Sequence, residues 1–389
     1  MKTRKPIKKR IVTSSELNTF KACRQKHELS YILGYKPSLV GPATIFGQAG
    51  HNAQEVRYLG GTLDACNRTI DATFERFLVK NERLIPDWKI PKYEDAQARC
   101  VKVNEAYWQE YAVDDWTPAI LDGKPAVEIE FLVPIYTPFG RASRFFLFSG
   151  KIDLIIKDAS GRYWIVDHKT RADIGKSAYQ KLIIDQQMRA YCWAAKIYWG
   201  IDIAGVIYNL IRTKPESQIK VNKNGRISKS AVDASFDTIA TFIRDHDAYL
   251  GNLSEEYRKE HKIKFDCASI YDHEDLLAAA MDNVYFRRHS QTYSEDDLMQ
   301  VQGELYQVCM WMHRCQFVDR VDSACDHFGG CQYKPICLGL ETEGLFKTGS
   351  THIELSETNF HPPVGRGYNI GHQEPTVLGM DGMLDSINA

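Results

Sequence analysis

The sequence lacks any hydrophobic run long enough to cross a membrane. No stretch of about 18 consecutive apolar residues occurs in it. The basic segment 1–10 is not followed by the apolar stretch that a signal peptide requires. With a formal net charge of −1, the 389-residue chain has no overall positive field that would attract nucleic acid. These absences predict a globular, cytoplasmic protein that would contact nucleic acid only through local basic patches.

The chain also lacks a Walker-type phosphate-binding loop. Thr170 stands where such a loop would need a glycine upstream of Gly175-Lys176-Ser177. The chain therefore has no motor of its own, and it contains no internal repeat. A disulfide framework is not expected either, because in a reducing compartment the 10 cysteines would be free thiols or metal ligands.

Two local basic patches are present. One covers residues 2–10, and the other covers residues 220–229 around a hairpin turn predicted at Asn224-Gly225. Each patch either contacts nucleic acid or is an ordinary solvent-exposed surface, since short charge runs usually face solvent.

The order of the predicted elements indicates a mixed α/β core. Apolar periodicity and turn signals predict helices over 15–33, 43–59 and 178–199, an aromatic-rich helical region over 64–118, and strands over 126–135, 144–157, 162–169 and 203–212. We expect a core over 11–212, a helical insertion or subdomain over 213–320, a cysteine-rich segment over 321–340 and a flexible tail over 341–389, which is rich in Gly, Pro, Thr, Ser and Asn.

A predicted hairpin brings two carboxylates together. A turn at 158–161 would place Asp153 opposite Asp167, with Cβ atoms roughly 4.5–5.5 Å apart. Because like charges at that distance repel, we expect a divalent cation between them, and oxygen ligands select Mg²⁺ or Mn²⁺. Lys169 would project on the same face as Asp167 and could orient water or stabilise negative charge. The alternative is that Asp153 and Lys169 form an ordinary cross-strand salt bridge.

The hairpin motif has the pattern of a known nuclease core. Gly150-x-x-Asp153, followed after an interval by Asp167-x-Lys169 at the end of an apolar strand, resembles the core of PD-(D/E)XK nucleases. This resemblance implies an α/β, restriction-endonuclease-like fold with a mixed central sheet flanked by helices. An acid on the preceding strand, Glu128 or Glu130, could add a further carboxylate.

Two helical motifs narrow the resemblance. Gly47-x-x-x-His51 is similar to the first motif of RecB-like nucleases, and Gln187-x-x-x-Tyr191 is similar to their motif after the catalytic lysine. The resemblance implies that His51 is a metal ligand together with the two aspartates, and that Gln187 and Tyr191 orient the active site or contact DNA. The glycines of the first helix, Gly47 and Gly50, suggest close approach of another backbone or of a ligand.

One cysteine precedes this core and three follow it. This layout resembles RecB-like nucleases with an iron–sulfur cluster, such as the AddB nuclease domain and CRISPR-associated RecB-type exonucleases. The resemblance implies a [4Fe–4S] cluster that ties the two ends of the chain together in a C-terminal lobe, although four thiolates also suit structural Zn²⁺. The implied ligands are Cys23, Cys325, Cys331 and Cys337, with Cys309 and Cys315 as alternatives to Cys325.

The resulting expectation is a Mg²⁺- or Mn²⁺-dependent DNA exonuclease in recombination, repair or phage DNA processing. If it is phage-encoded, it would act in the host cytoplasm. Its partners would be DNA and a helicase or single-strand-binding protein. One alternative is a catalytically silent DNA-binding or assembly module that retains the fold and the cluster, and another is a zinc-stapled structural protein.

Overall fold

The computed structural model describes residues 9–340 with internal gaps, and residues 345–347 and 353–355. The gaps are 38, 115, 176–179, 181, 183, 215, 217–218, 220–233, 253–255, 257–259, 261–276, 279, 281–283 and 327–329. Three predicted features lie outside the described residues: the basic residues before Lys9, the turn at Asn224-Gly225 and most of the tail.

The described strands and helices alternate along the chain in the order expected of a mixed α/β fold. The strands are β1 (Lys9–Thr13), β2 (Tyr35–Pro37), β3 (Thr117–Pro118), β4 (Ile120–Leu121), β5 (Lys124–Pro125), β6 (Val127–Tyr136), β7 (Ala142–Lys157), β8 (Tyr163–Arg171), β9 (Ile203–Arg212), β10 (Phe286–Gln291), β11 (Leu345–Lys347) and β12 (Ile353–Leu355). The helices are α1 (Ser14–Ala22), α2 (Arg24–His27), α3 (Pro42–Tyr58), α4 (Leu63–Asn81), α5 (Ile90–Glu110), α6 (Gln186–Trp199), α7 (Phe236–Asn252), α8 (Glu295–Arg314) and α9 (Lys334–Cys337).

Eight of these strands form a mixed central sheet. Its main path runs β10-β9-β8-β7-β1-β12, and β6 and β3 also pair with β7. The β8–β9 and β1–β7 pairs are parallel, and the other pairs are antiparallel. Helices cover both faces: α6 and α8 contribute to the largest apolar core, and α3, α4 and α5 form a second core. The mixed sheet flanked by helices confirms the predicted fold class.

Strand β7 changes its neighbour in the middle of the sheet. Strand β6 pairs with one edge of β7 from Val127↔Leu154 to Tyr136↔Ala142. The other edge is therefore shared: β1 pairs with residues 146–149 and β8 pairs with residues 154–157. On that edge, residues 150–153 of β7 pair with neither β1 nor β8 among the described strands. The sheet therefore forks at these residues, with β1 on one side of the opening and β8 on the other. Both Gly150 and Asp153, predicted as parts of one motif, lie at this fork.

The helix predicted over 15–33 is broken at Cys23. Thr13, rather than Ser15, is the N-cap of α1, because its side chain accepts the Glu16 N–H. Cys23 has extended backbone angles (φ −164°, ψ 118°), and its Sγ accepts the Lys26 N–H at 3.5 Å, which caps α2. A π-helical turn, Glu28–Ile32, then leads to Gly34 at φ 70°, the predicted end of the helical region. The break places Cys23 at a corner, where it can face another segment.

The helix predicted over 178–199 is interrupted at residues 184–185, and several of the residues before them lie outside the described part of the chain. Its described regular part begins at Gln186, because the Asp185 side chain accepts the Gln187 N–H at 2.9 Å and caps the helix there. It ends as predicted at Gly200, which has φ 67°.

The segment predicted as a helical insertion over 213–320 contains elements that contact the core. Strand β10 pairs with β9, and α8 packs on α6 and β6. The described residues between β9 and β10 include a small apolar cluster formed by Ala234, Ile239, Ala240, Ile243, Leu277 and Ala280. Two short pieces of the predicted tail are strands, since β11 pairs with β2 and β12 pairs with β1.

Candidate active site and cysteine cluster

The register of the β7–β8 hairpin places Asp153 and Asp167 at the fork. Leu154 pairs with Val166 and Ile156 with Trp164, which is the predicted register. One step beyond Leu154, the backbone N–H of His168 donates to Asp153 Oδ2 at 2.9 Å. The two carboxylates therefore lie beside the fork, where β8 begins to pair with β7.

Three side chains form a compact acidic site around Asp153. The distance from His51 Nδ1 to Asp153 Oδ2 is 3.4 Å. One potential ligand atom from each of His51, Glu128 and Asp153 lies within 4.8 Å of the other two. Two carboxylates and an imidazole suit a divalent cation such as Mn²⁺ or Mg²⁺. The structure thus selects Glu128 from the two acids on β6, whereas Glu130 is exposed.

Glu128 reaches this site through an unusual backbone conformation. Its neighbours Val127 and Ile129 pair with Leu154 and Ile152, so Glu128 lies across from Asp153 on β6. Its φ of 52° is in the left-handed region, which a residue other than glycine rarely adopts. Such a conformation costs roughly 1–3 kcal/mol and persists when the surroundings require it. Lys151 Nζ donates to Glu128 Oε2 at 2.6 Å and holds the side chain.

Burial and neighbouring charge disfavour ionisation of Asp153. Burial raises the pKa of Asp153, and the carboxylate of Asp167 raises it further. His51 and Lys169 lower the pKa of Asp153, but they do not cancel this rise. A cation bound among these groups would reverse the unfavourable interaction, which is the behaviour expected of a metal site.

Asp167 has one oxygen paired and one oxygen without a partner. Lys169 Nζ donates to Asp167 Oδ1 at 2.8 Å, so the predicted placement of both side chains on one face is confirmed. Asp167 Oδ2 is buried and has no hydrogen-bond partner among the described residues. A buried, unsatisfied carboxylate oxygen is costly, and it fits a position where a cation would bind. Asp167 lies outside the compact group of His51, Glu128 and Asp153 but acts electrostatically on Asp153.

Lys169 remains protonated beside this acid. Burial lowers the pKa of Lys169, but the carboxylates of Asp167 and Asp153 outweigh burial and give a net rise in the pKa. Lys169 is therefore a permanent cation at the site and can act on developing negative charge.

Two helical glycines bring His51 to the sheet. A Cβ atom added at Gly47 would lie 3.3 Å from Thr170 Oγ1, and one added at Gly50 would lie 3.4 Å from Thr170 Cγ2. Helix α3 therefore packs closely on the end of β8, and the group that approaches the two glycines is the Thr170 side chain rather than a backbone or a ligand. The close approach positions His51 next to Asp153.

Gln187 and Tyr191 lie on α6, behind the fork. The Tyr191 ring packs edge-on against Phe131, with a centroid distance of 5.2 Å, and the residue is 7% exposed. Burial raises the pKa of the Tyr191 hydroxyl, while a hydrogen bond from the Gln187 side chain lowers it. The same pKa responds to Asp167, Lys169 and Asp153, so the Tyr191 hydroxyl lies near the acidic site. Tyr191 thus combines core packing with a polar group near the carboxylates.

His168, which the sequence did not single out, contacts the site through its backbone N–H, which donates to Asp153. Its ring stacks on Tyr58 with a centroid distance of 5.7 Å, and its Nδ1 lies 2.7 Å from Asn209 Nδ2. Burial keeps the pKa of His168 well below its usual value, so the ring is neutral. Asn209 in turn donates to the Tyr107 hydroxyl at 2.8 Å. The one sequence signal for this network was a polar Asn209 inside an otherwise apolar strand.

All four predicted cysteine ligands lie in the described part of the chain. Burial raises the pKa of the Cys337 thiol, Arg320 lowers it, and Cys331, Cys23 and Cys325 raise it. The Cys331 N–H donates to the Cys325 carbonyl at 2.7 Å. Contacts between this part of the chain and the N-terminal region include a hydrogen bond from the Gln25 N–H to the Asp319 carbonyl at 3.1 Å and one from the Tyr333 hydroxyl to the Tyr35 carbonyl at 2.8 Å.

The two alternative cysteines lie elsewhere. Cys309 is fully buried in the main core, and burial raises the pKa of its thiol. Cys315 lies on the segment after α8, with its Sγ 3.0 Å from the Phe317 carbonyl oxygen. Of these three cysteines, Cys325 is the one that acts on the pKa of Cys337. The four thiols also match the all-sulfur donor set that iron–sulfur clusters and structural zinc require.

The forked sheet and its acidic site define a metal-dependent nuclease as the class of protein. The chain belongs to the PD-(D/E)XK nuclease superfamily, whose family model matches residues 12–338. DNA is the substrate that this family implies. No curated protein matches the chain. The solved structure described as "Crystal structure of SSO0001" is 11% identical, with a TM-score of 0.27 over 84% of this chain and 96% of that one. Within the described part of the chain, no helix is both long and apolar enough to span a membrane.

Proposed function

We propose that this protein is a Mg²⁺- or Mn²⁺-dependent DNA exonuclease of the RecB-like type. The observation that carries the proposal is the unpartnered, buried Asp167 Oδ2 beside the compact group of His51, Glu128 and Asp153. Unpaired acidic oxygens at the fork of a sheet are costly unless a cation binds there. The motifs of RecB-like nucleases fall on the residues that surround this point.

The proposed roles follow from the contacts at the fork. His51, Asp153 and Asp167 would hold the cation, and Glu128 would assist them. When bound, Mg²⁺ or Mn²⁺ would supply Lewis acidity that polarises a phosphoryl oxygen and acidifies water. Lys169, held by Asp167 at 2.8 Å, would orient the water and stabilise charge on the phosphate. Gln187 and Tyr191 would fix the arrangement of the acids or contact the DNA strand.

We further propose that Cys23, Cys325, Cys331 and Cys337 hold a [4Fe–4S] cluster, with structural Zn²⁺ as the alternative. The support is that Cys331, Cys23 and Cys325 all raise the pKa of the Cys337 thiol, together with the break in the helix at Cys23 and the hydrogen bond from the Cys331 N–H to the Cys325 carbonyl. A cluster here would join α2 to the C-terminal segment and stabilise the fold. The site would be structural and separate from the catalytic cation.

Recombination, repair or phage DNA processing fits a nuclease without its own motor. A helicase partner would supply the unwinding that this chain cannot power, or a single-strand-binding protein would present an exposed strand. Both partners follow from the absence of a phosphate-binding loop.

Digestion of end-labelled linear DNA and closed circular DNA, with Mg²⁺ or Mn²⁺, tests the proposal. An exonuclease degrades the linear DNA and spares the circle. We expect Lys169→Ala to reduce the rate by at least about 10²-fold, because it removes the cation that acts on the transition state, and to lower the melting temperature as well, because it leaves the buried Asp167 without its ion-pair partner. The matched control is Lys157→Ala, which removes an exposed lysine from the turn end of the same strand pair. Wild-type digestion by Lys169→Ala would show that the active site is misassigned.

A further inference from the structure

An exposed cleft lies where the end of α8 approaches the beginning of α2. Its volume is about 400 Å³, within the range of roughly 300–1,000 Å³ typical of ligand sites. We call it the Trp311 cleft. It is lined by Arg24, Trp311, Arg314, Cys315, Gln316 and Phe317.

The two aromatic rings of the Trp311 cleft face solvent. Trp311 is 52% exposed and Phe317 is 83% exposed. Among the residues that the structure describes, neither ring stacks on another aromatic ring. An exposed tryptophan and phenylalanine side by side are uncommon on a surface without a binding role, since burying either ring would be strongly favourable. Their faces are therefore available for stacking.

The same cleft carries positive charge. Arg314 follows Trp311 by three positions on α8, so both project from one face of the helix, and Arg314 is exposed. Arg24 donates to Asp319 Oδ1 at 3.2 Å, but its side chain remains 44% exposed. Proteins that bind single-stranded nucleic acid combine exposed aromatic rings, on which bases stack, with positively charged groups that contact the phosphates.

Two contacts connect the helices beside the Trp311 cleft with elements that carry proposed active-site residues. Lys21 on α1 donates to Gln186 Oε1 at 2.7 Å, and Gln186 is the neighbour of Gln187. On the other side, His313 stacks on Phe145 with a centroid distance of 4.7 Å. Phe145 and Asp153 lie on the same strand, which at about 3.3 Å per residue separates them by roughly 26 Å. An interval of that length corresponds to roughly five to eight nucleotides of one strand.

We propose that the Trp311 cleft is a stacking site for single-stranded DNA. Bases stack on Trp311 and Phe317, and Arg314 and Arg24 contact the phosphates. The inference rests on the proposed nuclease function, which makes DNA the substrate. It adds that the protein prefers single-stranded DNA.

Binding measured without cleavage tests the inference. The probe is a 5′-labelled oligothymidylate of about 20 nucleotides, long enough to span the fork and the cleft, and fluorescence anisotropy is recorded in EDTA. We expect Trp311→Ala to weaken binding by roughly 5- to 100-fold, the usual effect of removing one stacking ring. Trp311→Phe should retain most of the affinity. Arg314→Gln should reduce the slope of log K against log salt by about 0.7.

Phe317→Ala provides a second, independent variant. Its side chain is more exposed than that of Trp311, so truncation leaves the fold intact. The matched control is Trp88→Ala: Trp88 is 65% exposed, but Lys89 and Lys92 already lie over its ring, at 5.1 and 5.2 Å from the centroid. Because its face is covered, loss of Trp88 should leave binding within about twofold of the wild type.

Three results would overturn the inference: wild-type affinity in both Trp311→Ala and Phe317→Ala, an equal loss in Trp88→Ala, or an equal loss for blunt duplex DNA. The assay needs no cleavage, so it is independent of the nuclease proposal. If the protein proves to be an active nuclease, Trp311→Ala should raise KM for single-stranded DNA and leave kcat unchanged. If the wild-type protein proves inactive but Trp311→Ala still weakens DNA binding, the nuclease proposal is wrong and the stacking site stands.

Discussion

Gly150→Ala should damage the protein by wedging α6 away from β7. A Cβ atom at this position would lie 2.6 Å from Phe131 Cζ and 2.7 Å from Tyr191 Cε1. Both distances are too short for van der Waals contact. Phe131 is 2% exposed and Tyr191 is 7% exposed, so neither ring can turn out to solvent. The strand or the helix must move instead.

The cost can be estimated from this overlap. Forcing one methyl group into a packed core costs roughly 1–3 kcal/mol, and two rings in contact at one point favour the upper half of that range. Asp153 is three residues further along β7, and a displacement of about 1 Å near a catalytic group can reduce the rate by about 10²-fold. We therefore expect a loss of about 2–3 kcal/mol in the free energy of unfolding, with a larger loss of activity than of stability.

Denaturant unfolding and DNA digestion measure the two effects. Gly303→Ala is the matched control, because nothing lies within 4 Å of a Cβ atom at that position in α8. It should gain up to about 1 kcal/mol from the higher helix propensity of alanine. Phe131→Leu combined with Gly150→Ala should recover part of the lost stability, since the smaller side chain relieves the overlap. Wild-type stability in Gly150→Ala would refute the proposed packing of Tyr191 on the active-site strand.

Two further predictions concern the two proposed ion sites. Because the pKa of Asp153 is raised in the folded state, ionising it opposes folding above the unfolded pKa of about 4, and this cost is fully present once the pH exceeds the folded pKa. Asp153→Asn should therefore stabilise the protein in EDTA at about pH 8 by on the order of 1 kcal/mol and have no effect near pH 3; a destabilised variant at pH 8 would contradict the assignment. Cys331→Ala should lose the visible absorbance, the iron and at least half of the folded yield after anaerobic purification, whereas Cys315→Ala should keep all three; a colourless wild-type protein that contains zinc would replace the iron–sulfur assignment by structural zinc.

Local chemistry made the hairpin predictable. Asp158 Oδ1 accepts the N–H groups of Ser160 and Arg162, each at 2.9 Å, and Gly161 has φ 81°, so residues close in sequence set the turn. Once the turn is set, the two-residue period of strands fixes which side chains lie opposite. Asp153, Asp167 and Lys169 could therefore be placed from the sequence.

Glu128 could not be chosen with the same certainty. Glu128 and Glu130 both alternate with apolar residues on one strand, and regular strand geometry treats them alike. The positive φ of Glu128 and its contact with Lys151 exist only after β6 has packed along β7. The fork between β1 and β8 likewise depends on the pairing of β1 with β7, two segments more than 100 residues apart.

The sequence by itself determined the order of strands and helices, the hairpin register and the residues that resemble a RecB-like nuclease, because each depends on spacing and turn chemistry within a short segment. The tertiary structure decided which residues meet. It broke the helix at Cys23, whose Sγ caps the helix that follows, and it buried Asp167 Oδ2 without a hydrogen-bond partner among the described residues. Such contacts follow from the packing of distant segments, and no local pattern encodes them.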